Sequence, residues 1–130
     1  MRRDFKMTEK LRFNVYVKIK KGRHEDFKKI AKDWSAYQLK GRLDILSYEW
    51  FFLEKDQSQA LIMEVYENSD AMMATYKALD ESDEHFEETD YPYEIIKTEV
   101  CGKVSEELKN RIGIGKSRVE HYTHLAGFTR

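Results

Sequence analysis

The hydrophobic period of this chain switches between about two and about 3.6 residues in a definite order, and that order limits the folds open to it. Residues 11–20 alternate: Leu11, Phe13, Val15, Val17 and Ile19 share one face, while Arg12, Asn14, Tyr16, Lys18 and Lys20 share the other. This is a strand rich in β-formers, broken by Gly22. Over 23–40 the period lengthens, and Phe27, Ile30, Ala31, Trp34 and Gln38 form one stripe of an amphipathic helix that Gly41 is placed to end. Residues 43–54 and 60–66 read as strands, joined through the polar stretch 55–59 as a hairpin. Residues 69–80 return to a helical pattern, with Ser69 or Asp70 as a cap, and 93–101 reads as a last strand. Ser105 then caps a short helix with Glu106 and Glu107 in its first turn, Lys109 and Arg111 in its last, and Gly113 after it. The tail, 117–129, reads as partly extended.

The order β-α-β-β-α-β is that of the ferredoxin-like α+β arrangement, a four-stranded antiparallel sheet with two helices on one face. The expected layout is an N-terminus over 1–10 without fixed structure, one domain over 11–104, and a C-terminal helix and tail over 105–130. That last segment packs on the same domain or on a partner subunit. The face left open should be polar, yet the strands are apolar on both sides. In 43–54, Leu46, Tyr48, Trp50 and Phe52 oppose Ile45, Phe51 and Leu53, a face interrupted by Ser47 and Glu49; in 60–66, Leu61, Met63 and Val65 oppose Ala60, Ile62 and Tyr66. Either the tail covers the second face or another sheet does. Two identical sheets packed face to face solve the problem with closed symmetry, so a homodimer is expected.

Several segments carry a family resemblance. Val15–Phe27 gives a strand, a Gly-containing turn and a Phe-bearing helix, followed by Leu46–Trp50. Met63–Tyr76 contains Glu64-Val65-Tyr66 and then Asp70-Ala71 opening a helix; Tyr93–Val104 fits more loosely. Over roughly residues 11–104 the chain resembles the antibiotic biosynthesis monooxygenase domain, of the dimeric α+β barrel group. The resemblance implies a pocket between helices and sheet. It also implies oxygenation of an aromatic, quinol or polyketide-like small molecule without a metal, flavin or other cofactor. Other barrels of this group bind or degrade haem, and others have no known activity. Family members often carry a histidine in the second helix, about where Tyr76 stands here, which argues against haem ligation from that helix.

A cofactor-independent oxygenase needs an enclosed pocket for an aromatic substrate and polar groups that assist deprotonation and hold the resulting oxyanion. Tyr hydroxyls, the Asn14 amide and Trp N–H groups supply such donors. Asn14, Tyr16 and Tyr76 are therefore the candidates for catalysis, with Trp34, Tyr48, Trp50 and Tyr66 as substrate-binding residues. The same rings also serve as ordinary core and interface mass. His85, near the end of the second helix, is added as a group at the pocket mouth; its bland reading is a solvated histidine in an acidic run. The rival functions are a non-catalytic small-molecule-binding or structural dimer, and a haem-binding or haem-degrading barrel.

Other features exclude more than they suggest. The 23 Lys+Arg against 24 Asp+Glu leave a net charge of -1, without the basic field of a nucleic-acid binder. No run reaches the roughly 20 apolar residues of a membrane span, and 1–10 lacks the apolar region of a secretory signal. One cysteine, Cys101, cannot close an internal disulfide, which suits the cytoplasm. His121 and His124 are three apart, a spacing that on a strand sends them to opposite faces, so no metal is expected there. The acidic run 80–90 lacks the ligand spacing and central glycine of a calcium loop.

Overall fold

The structure, a computed structural model, describes residues 10–40, 42–81, 91–114 and 118–130. The elements follow in the order β1 (Leu11–Ile19), α1 (His24–Leu39), β2 (Ile45–Phe52), β3 (Gln59–Tyr66), α2 (Ser69–Glu81), β4 (Tyr93–Cys101), α3 (Glu106–Ile112) and β5 (Val119–Tyr122). The βαββαβ order and the ferredoxin-like class are therefore as the periodicity indicates. The sheet, however, has five strands in the order β2-β3-β1-β4-β5 and is mixed rather than four-stranded and antiparallel. The added strand is part of the tail: β5 runs parallel to β4, pairing Thr98 with Val119 and Cys101 with Tyr122. Parallel neighbours need a crossover, and the segment carrying α3 supplies it. The glycine expected to end α1, Gly41, lies outside the described residues.

Register decides which side chains meet the helices. Leu11, Phe13, Val15, Val17 and Ile19 are all buried, as the alternation requires. On β3 their partners are Tyr66, Glu64, Ile62 and Ala60 (opposite Leu11, Phe13, Val15 and Val17), so Glu64 faces the helices along with three apolar residues. On β2, Tyr48, Trp50 and Phe52 lie opposite Glu64, Ile62 and Ala60 and join the same face. The pairing skips a residue between Ile45 and Ser47. This bulge turns Leu46 outward, to 42% exposure, and gives its place against the core to Ile45.

The start of α2 differs from expectation by one residue. Asn68 is the cap, its Oδ1 accepting from the Ala71 N–H at 3.0 Å. The Ser69 hydroxyl instead donates to the Lys103 carbonyl and accepts from the Ser105 N–H, both at 3.0 Å, tying α2 to the segment before α3. Ser105 caps α3 by accepting from the Leu108 N–H, and Gly113 ends it at φ 85°. The helix docks on α2 through Leu108, which is fully buried, and through ion pairs Lys77–Glu107 and Arg111–Asp80. Among the described residues no helix is long and apolar enough to cross a membrane.

Candidate functional site

Between the sheet and the helices lies a cavity of about 600 Å³, a usual size for a small-molecule site. The strands supply its floor: Phe13 and Val15 from β1, Tyr48 from β2, Ile62, Glu64 and Tyr66 from β3, Tyr93 and Thr98 from β4. Trp34 and Gln38 of α1, Thr75 and Tyr76 of α2 and Arg111 of α3 form the walls. The periodicities explain the convergence: strand residues two apart and helix residues three or four apart each return to one face.

Glu64 is the chemical centre of this cavity. The residue is half-buried and its carboxyl lines the cavity, and the loss of hydration there raises its pKa from the usual 4.5 to about 7. The Tyr66 hydroxyl donates to Glu64 Oε1 and offsets part of that shift. The phenols of Tyr48, Tyr66, Tyr76 and Tyr93 all have pKa values raised by burial first, with the Glu64 charge adding to each. At neutral pH they are neutral donors around a carboxyl that populates both of its forms.

Tyr76 also feels Arg111, whose guanidinium carbon stands 4.6 Å from the centre of its ring and whose charge counters the upward shift. Arg111 is held by Asp80 through two bonds, Nη1 to Oδ2 at 2.5 Å and Nη2 to Oδ1 at 2.8 Å. Two further cavity residues, Gln38 and Thr75, are buried polar groups. The Thr75 hydroxyl donates back to the Ala71 carbonyl at 3.3 Å.

Of the residues singled out from the sequence, Trp34, Tyr48, Tyr66 and Tyr76 share this cavity. Trp50 packs beside it in an aromatic cluster, with ring centres 5.9 Å from Trp34, 6.2 Å from Tyr48 and 5.3 Å from Phe27. Its indole N–H is buried and, among the described residues, lacks a partner in good hydrogen-bond geometry, though it lies near enough to the Tyr48 phenol to favour the ionised form slightly. Asn14 and Tyr16 are not brought to the cavity. They occupy the even positions of β1, whose odd positions face the helices, so both side chains lie on the open face of the sheet. There the Tyr16 hydroxyl donates to Glu99 Oε1 at 2.8 Å, and Tyr16 first, then Lys97, with the smallest part from Asn14, holds the Glu99 carboxyl below its usual range. His85 lies outside the described residues.

Two cavity residues, Glu64 and Arg111, are not among the candidates that the sequence pattern singles out. A sequence signal existed for Glu64, the one charge on the Ala60-Ile62-Glu64-Tyr66 face. None existed for Arg111, whose position depends on how α3 docks. His121 Nε2 lies 2.7 Å from the Gly102 carbonyl, and among the described residues no three His, Cys, Asp or Glu side chains group as a metal site.

No family model and no curated protein matches the sequence. Solved structures do. MupZ from Pseudomonas fluorescens superposes with a TM-score of 0.75 at 19% identity, covering 100% of this chain and 96% of its own. A conserved protein of unknown function from Bacteroides thetaiotaomicron, with a suggested oxidoreductase role, gives a TM-score of 0.55 at 20% identity over 72% of this chain and 97% of its own. A second protein from that organism, provisionally described as an antibiotic biosynthesis monooxygenase, gives 0.55 at 14% identity over 71% and 85%. At such identities the likeness is one of fold. The chain has the ferredoxin-like fold of the antibiotic biosynthesis monooxygenase proteins, with Glu64 among the residues that line its cavity.

Proposed function

We propose that this protein is a small oxygenase of the monooxygenase type, acting on a phenolic, quinol or polyketide-like aromatic, with Glu64 as its general base. The observation that carries the reading is a cavity-facing carboxyl with a pKa near 7 amid neutral phenols. A base is most effective when its pKa lies close to the working pH. Trp34, Tyr48 and Tyr66 flank an aromatic substrate, and Glu64 takes the proton of a phenol or of an activated C–H. The electron-rich anion reacts with O2 to a peroxide. Its O–O bond breaks with loss of the ring C–H proton, leaving one oxygen as a new carbonyl and the other as water. For a phenol becoming a quinone the substrate supplies all the electrons and no co-reductant is consumed. Tyr76 donates to the oxyanion that forms when the proton leaves.

Catalysis then follows the carboxylate form: kcat/KM rises with pH through about 7 and levels above it. Oxygen uptake across a panel of hydroquinones and anthrones tests the activity, and Glu64→Gln should reduce it by about 10²-fold or more. Because Glu64 populates both protonation states at neutral pH, it is also suited to redox-neutral proton transfer on the same class of substrate. Product formation without oxygen uptake selects that reading, and binding without turnover selects a non-catalytic binding protein. The assembly in this proposal is a homodimer joined through the open face of the sheet. Its compartment is the cytoplasm, in keeping with a single half-buried thiol, Cys101, whose pKa burial pushes up.

A further inference from the structure

We propose that Arg111 binds a carboxylate group of the substrate, so that the cavity takes an aromatic acid rather than a neutral aromatic. The inference deepens the reading of the cavity as a small-molecule site and rests on it. A guanidinium presents five N–H donors in a fixed planar fork. Asp80 engages it end-on, one oxygen on Nη1 and one on Nη2. That geometry leaves the side edge, Nε–H together with the second Nη2–H, without an acceptor among the described residues. The Tyr76 ring covers one face of the same group. Arg111 is thus fixed in position while keeping two parallel donors spaced to match a carboxylate.

Its place in the cavity sets the character of the ligand. Glu64 and Arg111 both act on the Tyr76 hydroxyl, from opposite signs of charge. Both line the same cavity, with Arg111 over the Tyr76 ring, so a molecule bound there meets a proton acceptor and a cation. Asp80 is more than half exposed, so water screens its charge and a second anion at Arg111 is not prohibitive. The other cation in the wall is Lys20, a point charge without the fork that planar recognition uses. Arg111 also comes from α3, outside the βαββαβ core, so the C-terminal helix contributes to recognition and not only to packing.

The test measures binding without turnover, by quenching of the intrinsic fluorescence under anaerobic conditions. The probes are 4-hydroxyphenylacetate and its methyl ester. The wild-type protein should bind the acid about tenfold more tightly than the ester, a preference that weakens with salt. Arg111→Gln should abolish the preference while leaving ester affinity in place, and Arg111→Lys should restore only part of it. Equal binding of acid and ester by the wild type overturns the proposal and leaves the aromatic cavity standing. A fall in both affinities together in Arg111→Gln, with a lowered Tm, makes the residue a structural clasp and also overturns it. Binding of neither probe by the wild type overturns the small-aromatic reading, and this proposal with it.

Discussion

A carboxyl on the core-facing register of a strand is held there against its hydration energy, and Glu64 is such a group. Its folded pKa lies above the unfolded value, so its protonated form is the one the fold favours. The stability it allows is full below about pH 4.5 and is lost as pH rises through about 7. Above that, the ionised carboxylate costs the fold at most about 3 kcal/mol, less whatever screening the cavity water provides. Glu64→Gln keeps an acceptor for the Tyr66 hydroxyl and cannot ionise. The variant should therefore exceed wild type in stability at pH 8 and lose that advantage by pH 5, a difference that denaturant titrations at the two pH values would measure. An advantage that is the same at both would mean that Glu64 does not titrate near neutrality in the fold. With the pH-dependent advantage observed, the loss of activity predicted for the same variant marks a group held at a cost for function. This residue also shows where sequence reading stops. The alternation over 60–66 sets Glu64 between Ile62 and Tyr66 on the buried face, but charge by itself argues for solvent. Only the register opposite Phe13 shows that the fold kept it inside. Asn14 and Tyr16 fail in the opposite sense, since the alternation that identifies β1 already sends them away from its core face.

At the scale of elements, α3 and β5 extend the familiar six-element order, and they were legible to different degrees. The cap, the charges and the terminal glycine of α3 are local signals, and all of them are present in the sequence. β5 is four residues long and is held by pairing with β4, a long-range cause that local periodicity does not report. Two substitutions test the local argument. Ser105→Ala removes the bond to the Leu108 N–H and should cost about 1 kcal/mol in a thermal or urea melt. Gly102 stands at φ +126°, where a Cβ would lie 2.8 Å from the Lys10 carbonyl oxygen. Gly102→Ala strains both conformation and contact, and should cost well over about 1 kcal/mol. Near-wild-type melting of that variant would mean that the turn between β4 and α3 relaxes freely around the added Cβ.

At the scale of the whole molecule, the open face of the sheet divides into two parts. Across β1, β4 and β5 it is polar: Tyr16 donates to Glu99, Lys97 pairs with Glu99 and Glu120, and Tyr122 donates to Glu120. Across β2 and β3 it is more apolar, with Phe51 opposite Leu61 and Met63 beside Val65, though Ser47 and Glu49 interrupt it; Phe51 is 45% exposed and Met63 39%. The tail reaches this face at its Arg12 end, where the guanidinium donates to Thr129 Oγ1 at 3.0 Å, and among the described residues the β2–β3 side keeps exposed apolar side chains. Of the two covers that the two-faced strands call for, we propose the second sheet. A self-complementary contact through this face would bring apolar halves together and let the charged ladder set register. A stable interface of this kind buries about 1,200–2,000 Å² in total. Sedimentation at micromolar concentration should give twice the 15.6 kDa chain mass. Met63→Glu, which would bury a second carboxylate beside Glu49 in the contact, should raise the dissociation constant tenfold or more while leaving the fold of each chain intact. A wild-type species sedimenting at the single-chain mass would sink the dimer, and would require the apolar β2–β3 surface to be covered by something other than a second copy.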